Sequence, residues 1–169
     1  MRSVRLLALF LAVLGAVLPA ASQKQPAQQP AGKKLEVLFT TAEIPFTKPE
    51  EGSYVAVITV EDNESERFHV LLTTIGSDPN NEKLQVIQMY FLLGRVPKDT
   101  QVPIALIKQI AEWNASLTLG KVAVFNNAVM YMSSSWLART DAETLAQDAV
   151  LGHYVSQDLR KEIAPYLKQ

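Results

Sequence analysis

Three consecutive runs rich in β-branched, aromatic and other apolar residues, Tyr54–Glu61, Arg67–Ile75 and Leu84–Leu93, are separated only by short polar clusters. Parallel pairing needs a crossover of a dozen or more residues, so connections this short dictate antiparallel strands. Glu61-Asp62-Asn63-Glu64-Ser65-Glu66 reads as the first turn and Gly76-Ser77-Asp78-Pro79-Asn80-Asn81 as the second. A further pair, Val122–Phe125 and Ala128–Met132, flanks Asn126-Asn127, a dipeptide that tolerates the positive φ angles of a tight hairpin.

Helical spacing appears in three places. Ile104, Ile107, Ile110, Ala111 and Asn114 recur with Leu106 and Trp113 beside them, and Pro103 suits the first turn of that helix. Thr140-Asp141-Ala142-Glu143 reads as a capping box ahead of a terminal helix with Leu145, Ala146, Ala149 and Val150 on one face. Gly152 is expected to weaken or bend that helix, and Ser156-Gln157-Asp158-Leu159 to restart it toward Tyr166. The first patterned segment is ambiguous. Leu35, Leu38, Phe39 and Ala42 fit a helix, whereas Leu35, Val37 and Phe39 fit a strand. The resulting expectation is an α+β domain built on an antiparallel five-stranded sheet.

The amino terminus concerns destination. Arg2 and Arg5 precede an apolar run from Leu6 to Leu18, and Ala20 and Ser22 are small residues at signal-peptidase spacing. The run is too short to span a bilayer, so residues 1–22 are expected to be a signal peptide cleaved before Gln23, leaving no stable membrane anchor. The expected location is periplasmic or secreted. Residues 23–34, rich in Gln, Pro and Ala, are expected to be a disordered linker, and residues 35–169 the domain. With no cysteine in the chain, disulfide scaffolds, thiolate metal sites, cysteine nucleophiles and lipoprotein anchors are excluded. Fourteen basic against seventeen acidic residues remain beyond Ser22, and a net charge of −3 without a basic stripe excludes nucleic acid as a partner.

No constellation for catalysis emerges. His69 lies in a strand pattern and His153 follows Val150-Leu151 in a helix, so both read as structural. Ser133-Ser134-Ser135 lacks a glycine-flanked elbow. Asp62, Glu64 and Glu66, like Asp78, Asn80 and Glu82, read as solvated turns, since neither set has calcium-loop spacing. Asn63-Glu64-Ser65 and Asn114-Ala115-Ser116 match a glycosylation sequon, but Asn114 reads better as the end of a helix. The expectation is therefore a non-enzyme with no cofactor and no metal.

The stretch from Ile104 through Leu137 resembles the YbjN family: Ile110-Ala111-Glu112-Trp113-Asn114 closes a helix, Gly120-Lys121 opens a strand, Asn126-Asn127 turns it, and Trp136-Leu137 leads into a capped helix. The likeness extends back to Leu38-Phe39-Thr40-Thr41-Ala42-Glu43-Ile44-Pro45-Phe46 and covers roughly residues 35–166. That family is similar in fold to type III secretion chaperones. The resemblance implies a helix for the ambiguous first segment, the order α-β-β-β-α-β-β-α with helices on one sheet face, and a protein-binding role that is regulatory or chaperone-like.

Strand alternation separates two faces. Phe68, Val70, Leu72, Ile87, Met89, Phe91, Val122, Val124, Met130 and Met132 are expected under the helices. His69, Gln88, Tyr90, Lys121, Tyr131 and Ser133 are expected on the opposite face with Thr73, Leu71, Leu92 and Phe125. That mixed face suits a protein partner or a homodimer mate. The competing expectation is a small-ligand or lipid-binding protein with an apolar pocket lined by Met89, Phe91 and Trp113.

Overall fold

The computed structural model describes residues 30–60, 64–77, 83–97 and 101–167. The expected signal peptide and most of the expected linker lie outside them, as do Asp62, Asp78, Asn80 and Glu82. In chain order the elements are α1 (Ala31–Thr41), β1 (Phe46–Glu50), β2 (Ser53–Thr59), β3 (Ser65–Ser77), β4 (Lys83–Arg95), α2 (Ile104–Ser116), β5 (Lys121–Phe125), β6 (Ala128–Trp136) and α3 (Ala142–Ile163). A 3-10 turn, Ala164–Tyr166, follows. The fold is α+β, and its antiparallel sheet has six strands among the described residues, in the spatial order β1-β2-β3-β4-β6-β5.

The sixth strand is β1, which the sequence pattern folds into the turn after the first helix. Only Phe46 of its five residues is even partly buried, and Pro49 cannot donate to a ladder, so it carries no alternation to read. Proline is tolerated there because β1 is an edge strand. Phe46 is what fastens it: its ring stacks on Phe39 of α1 at 5.0 Å and meets Tyr54 of β2 edge-on at 5.9 Å.

The first segment is a helix, and it begins at Ala31, so residues 31–34 are helical rather than linker. Leu35 and Phe39, one turn apart, are fully buried. The helix ends in a Schellman arrangement, with Ile44 N–H donating to Phe39 O (2.9 Å) and Glu43 N–H to Thr40 O (3.2 Å). Glu43 occupies the left-handed position at φ 56° that glycine usually fills.

All six strands turn one face to the helices. Tyr54, Ala56, Phe68, Val70, Ile87, Met89, Phe91, Val122 and Val129 lie there and are buried. The β6 register corrects the expected faces. Phe91 and Val122 both stand opposite Tyr131, and Met89 opposite Ser133, so Tyr131 and Ser133 point under the helices. Met130 and Met132 point outward. Judged by hydrophobicity alone the two methionines claim the core, and a one-residue error in phase exchanges every side chain of a strand. Small Ser133 and Ser135 on the inner face leave room for α3, whose Asp148 accepts a hydrogen bond from the Ser135 hydroxyl.

The terminal helix is uninterrupted for 22 residues. Gly152 does not interrupt it; a Cβ there would lie 2.3 Å from Phe91 Cε2, so glycine lets α3 lie against β4. Its cap is Asp141, which accepts from Thr144 N–H at 2.8 Å, while the Thr140 hydroxyl donates to Trp136 O. In α2 the buried residues are Leu106 and Trp113, and Ile104 and Ile107 of the expected stripe are exposed. Trp113 Nε1 donates to Glu162 Oε2 (2.6 Å), tying α2 to α3. Asn114 closes the outer edge of β5: its Nδ2 donates to Val122 O (3.0 Å) and its Oδ1 accepts from Val122 N–H (2.7 Å). Asn126 and Asn127, at φ 46° and 63°, make the β5–β6 turn.

Candidate functional site

The sheet face opposite the helices carries four of the six residues expected to form a partner surface. Strand pairing puts Val55, His69, Tyr90, Met132 and Lys121 in one row across five strands, β2, β3, β4, β6 and β5. The adjacent row runs Ser53, Leu71, Gln88, Ser134. Gln88 Oε1 accepts from the Tyr90 hydroxyl (3.0 Å) and from Thr73 Oγ1 (3.2 Å), so the middle of the face is a small fixed polar network. Partial burial holds the Tyr90 phenol above its ordinary pKa. Around this network stand large apolar side chains open to solvent: Leu71, Leu92, Trp136 and Phe125, the last 66% exposed. Apolar groups in such a setting favour contact with another macromolecule.

Tyr131 and Ser133 are not part of that face. Tyr131 is 1% exposed and its hydroxyl donates to Leu119 O at 2.9 Å. Burial, with a smaller contribution from the Asp148 carboxylate, raises its pKa. The residues of the expected apolar pocket belong to the packed core. Met89 and Phe91 are fully buried, Phe91 stacked on Phe68 at 5.0 Å, and neither of the two described clefts is lined by them or by Trp113.

A second concentration of chemistry lies where β3 begins beneath α3. Glu66, placed by the sequence pattern in a solvated turn, is 6% exposed and faces inward in register with Phe68 and Val70. Its Oε2 is 2.6 Å from His153 Nδ1. Its other oxygen pairs with the Arg160 guanidinium, and the fully buried Ser156 hydroxyl reaches both oxygens at 3.3–3.4 Å. Arg160 also donates to Leu92 O from Nε (2.9 Å) and Nη2 (2.7 Å). The β3–β4 pairing ends at His69 and Tyr90, two residues before Leu92. The cluster borders an open cleft of about 440 Å³ lined by Glu64, Ser65, Glu66, Arg67, Leu92, His153, Gln157 and Arg160.

Extending the β3 alternation backward from Phe68 by one step would have turned Glu66 inward. The pairing with His153 and Arg160, 87 and 94 residues away, has no local signal. Among the described residues no three His, Asp or Glu side chains converge as a metal cluster, and no helix is long and apolar enough to cross a membrane. No protein-family model matches the chain, and no curated protein matches it.

Proposed function

We propose that this chain is an exported, non-enzymatic protein-binding module, regulatory or chaperone-like, that takes a protein partner on the open face of its sheet. The observation that carries the reading is the row His69, Tyr90, Met132 and Lys121, bordered by exposed Leu71, Leu92, Phe125 and Trp136, on a sheet whose other face is fully occupied by the core. Partner-binding surfaces combine exposed apolar anchors with polar groups already fixed in place, which the Gln88–Tyr90–Thr73 network supplies.

The element succession is α-β-β-β-β-α-β-β-α, one strand more than the order the resemblance implies, and the kinship is proposed from the sequence resemblance alone. Export is proposed from the amino-terminal segment alone. The absence of enzymatic activity is proposed from the chemistry of the two histidines. His69 stands in the open row beside Tyr90, and the Nδ1 of His153 is held by Glu66.

Affinity capture with the mature chain, compared with a Tyr90→Asp, Met132→Asp variant and a Val37→Asp control on exposed α1 surface, tests the reading. The expected result is one protein, or a second copy of the chain, retained by wild type and the control and lost by the double variant, with circular dichroism unchanged. Equal retention by all three overturns the assignment of the face.

A further inference from the structure

His153 is 3% exposed, yet its Nε2 has no hydrogen-bond partner. The other ring nitrogen explains the orientation. Glu66 holds Nδ1 at 2.6 Å and is itself held by Arg160 and Ser156, so the carboxylate is fixed as an acceptor for an Nδ1–H. In the neutral ring that leaves a lone pair on Nε2. The nearest acid to this nitrogen is the Glu64 carboxylate, whose Oε2 is 3.8 Å away, beyond hydrogen-bond range. Gln157 Nε2 donates to the same Glu64 oxygen at 2.6 Å, and His153, Glu64, Glu66 and Gln157 all border the open cleft beside α3.

We propose that His153 Nε2 and the Glu64 carboxylate form a two-ligand seat for one zinc-class dication, with solvent from the cleft completing the coordination. An imidazole nitrogen and a carboxylate oxygen each bind zinc at about 2.1 Å. A separation of 3.8 Å is spanned at those lengths by a ligand–metal–ligand angle somewhat wider than tetrahedral. The Glu64 side chain is 61% exposed, so solvent reaches the seat. Glu66 then plays the outer partner that a metal-binding histidine requires, fixing the tautomer and orientation of the ring, and Gln157 does the same for Glu64. A nitrogen ligand favours zinc, copper or nickel over calcium and magnesium, which take oxygen alone. Arg160 is paired with Glu66, which leaves Glu64 as the anion beside Nε2. Arg67 stands at the rim of the cleft. Two protein ligands make an exchangeable site rather than a structural one, independent of the sheet face on the far side of the molecule.

The test is titration of the untagged mature chain with zinc chloride, read by the side-chain nitrogen resonances of its two histidines. His69, on the opposite face, is the internal control. The expected result is a saturable one-to-one shift of His153 Nε2 with His69 unmoved, and at least a tenfold weakening in Glu64→Gln, an exposed substitution that keeps the fold. No saturable shift at His153, a response confined to His69, or undiminished affinity in Glu64→Gln overturns the proposal.

Discussion

Gly152 of α3 lies against the ring of Phe91 in β4, so close that a Cβ at position 152 would be 2.3 Å from Cε2 and 2.4 Å from Cζ. Phe91 cannot retreat, because it is fully buried and stacked on Phe68 with an interplanar angle of 11°. Gly152→Ala therefore sets a helix-propensity gain of about 1 kcal/mol against overpacking that typically costs about 1–3 kcal/mol. The substitution is expected to destabilise the domain on balance. Urea unfolding of Gly152→Ala beside Gly152→Ala, Phe91→Leu measures it, and the second change should recover part of the loss; a more stable single variant would contradict the close packing.

Asn114 replaces a missing neighbour strand for Val122. Asn114→Ala leaves the Val122 N–H and C=O without these partners and opens the β5 edge. The expected cost is about 1–3 kcal/mol for the two lost bonds together, with greater self-association at high concentration because an unprotected edge is a template for pairing. Denaturant unfolding and light scattering read the two effects separately.

Glu43 pays for a left-handed backbone angle at the end of α1. Glu43→Gly relieves that strain while retaining the Schellman bonds, and the expected gain is about 0.5–1 kcal/mol after the greater chain entropy of glycine is counted. An increase in Tm of the variant checks it.

The buried Tyr131 phenol makes the fold sensitive to alkali. Its folded pKa is raised chiefly by burial, with Asp148 adding to the effect. The associated stability is complete below the unfolded tyrosine pKa of about 10 and is lost as pH rises from there through the folded value. Tyr54, raised first by its own burial, adds in the same direction. Tyr131→Phe is expected to flatten the fall in stability above about pH 10. Denaturant midpoints measured from pH 8 to 11 provide the check.

How much of this was readable from residues follows strand by strand. Where alternation is strong, as in Phe68, Val70, Ile87, Met89 and Phe91, it identifies the buried face. In β6 it misleads, because the core side is taken by Tyr131 and two serines while the methionines face out; only pairing with Phe91 and Val122 fixes the phase. β1 is invisible because an edge strand with proline buries little, and its one anchor, Phe46, is recognised only beside Phe39 and Tyr54. His69, Gln88, Tyr90 and Lys121 share a face because each sits in the expected phase of its own strand. Glu66, His153 and Arg160 meet only through the docking of α3 on β3, and tertiary contact of that kind leaves no mark on local spacing.

The open face of the sheet is proposed to hold a protein. The most direct measurement places a photo-crosslinking amino acid at Tyr90, and as a control at Val37 on α1, in the full chain expressed in its own source organism. One dominant crosslinked protein, or a crosslinked dimer, is expected from position 90 and none from position 37, with the adduct mapped to the row containing His69, Met132 and Lys121. Irradiation that yields only uncrosslinked monomer at position 90, or the same products from both positions, would contradict it.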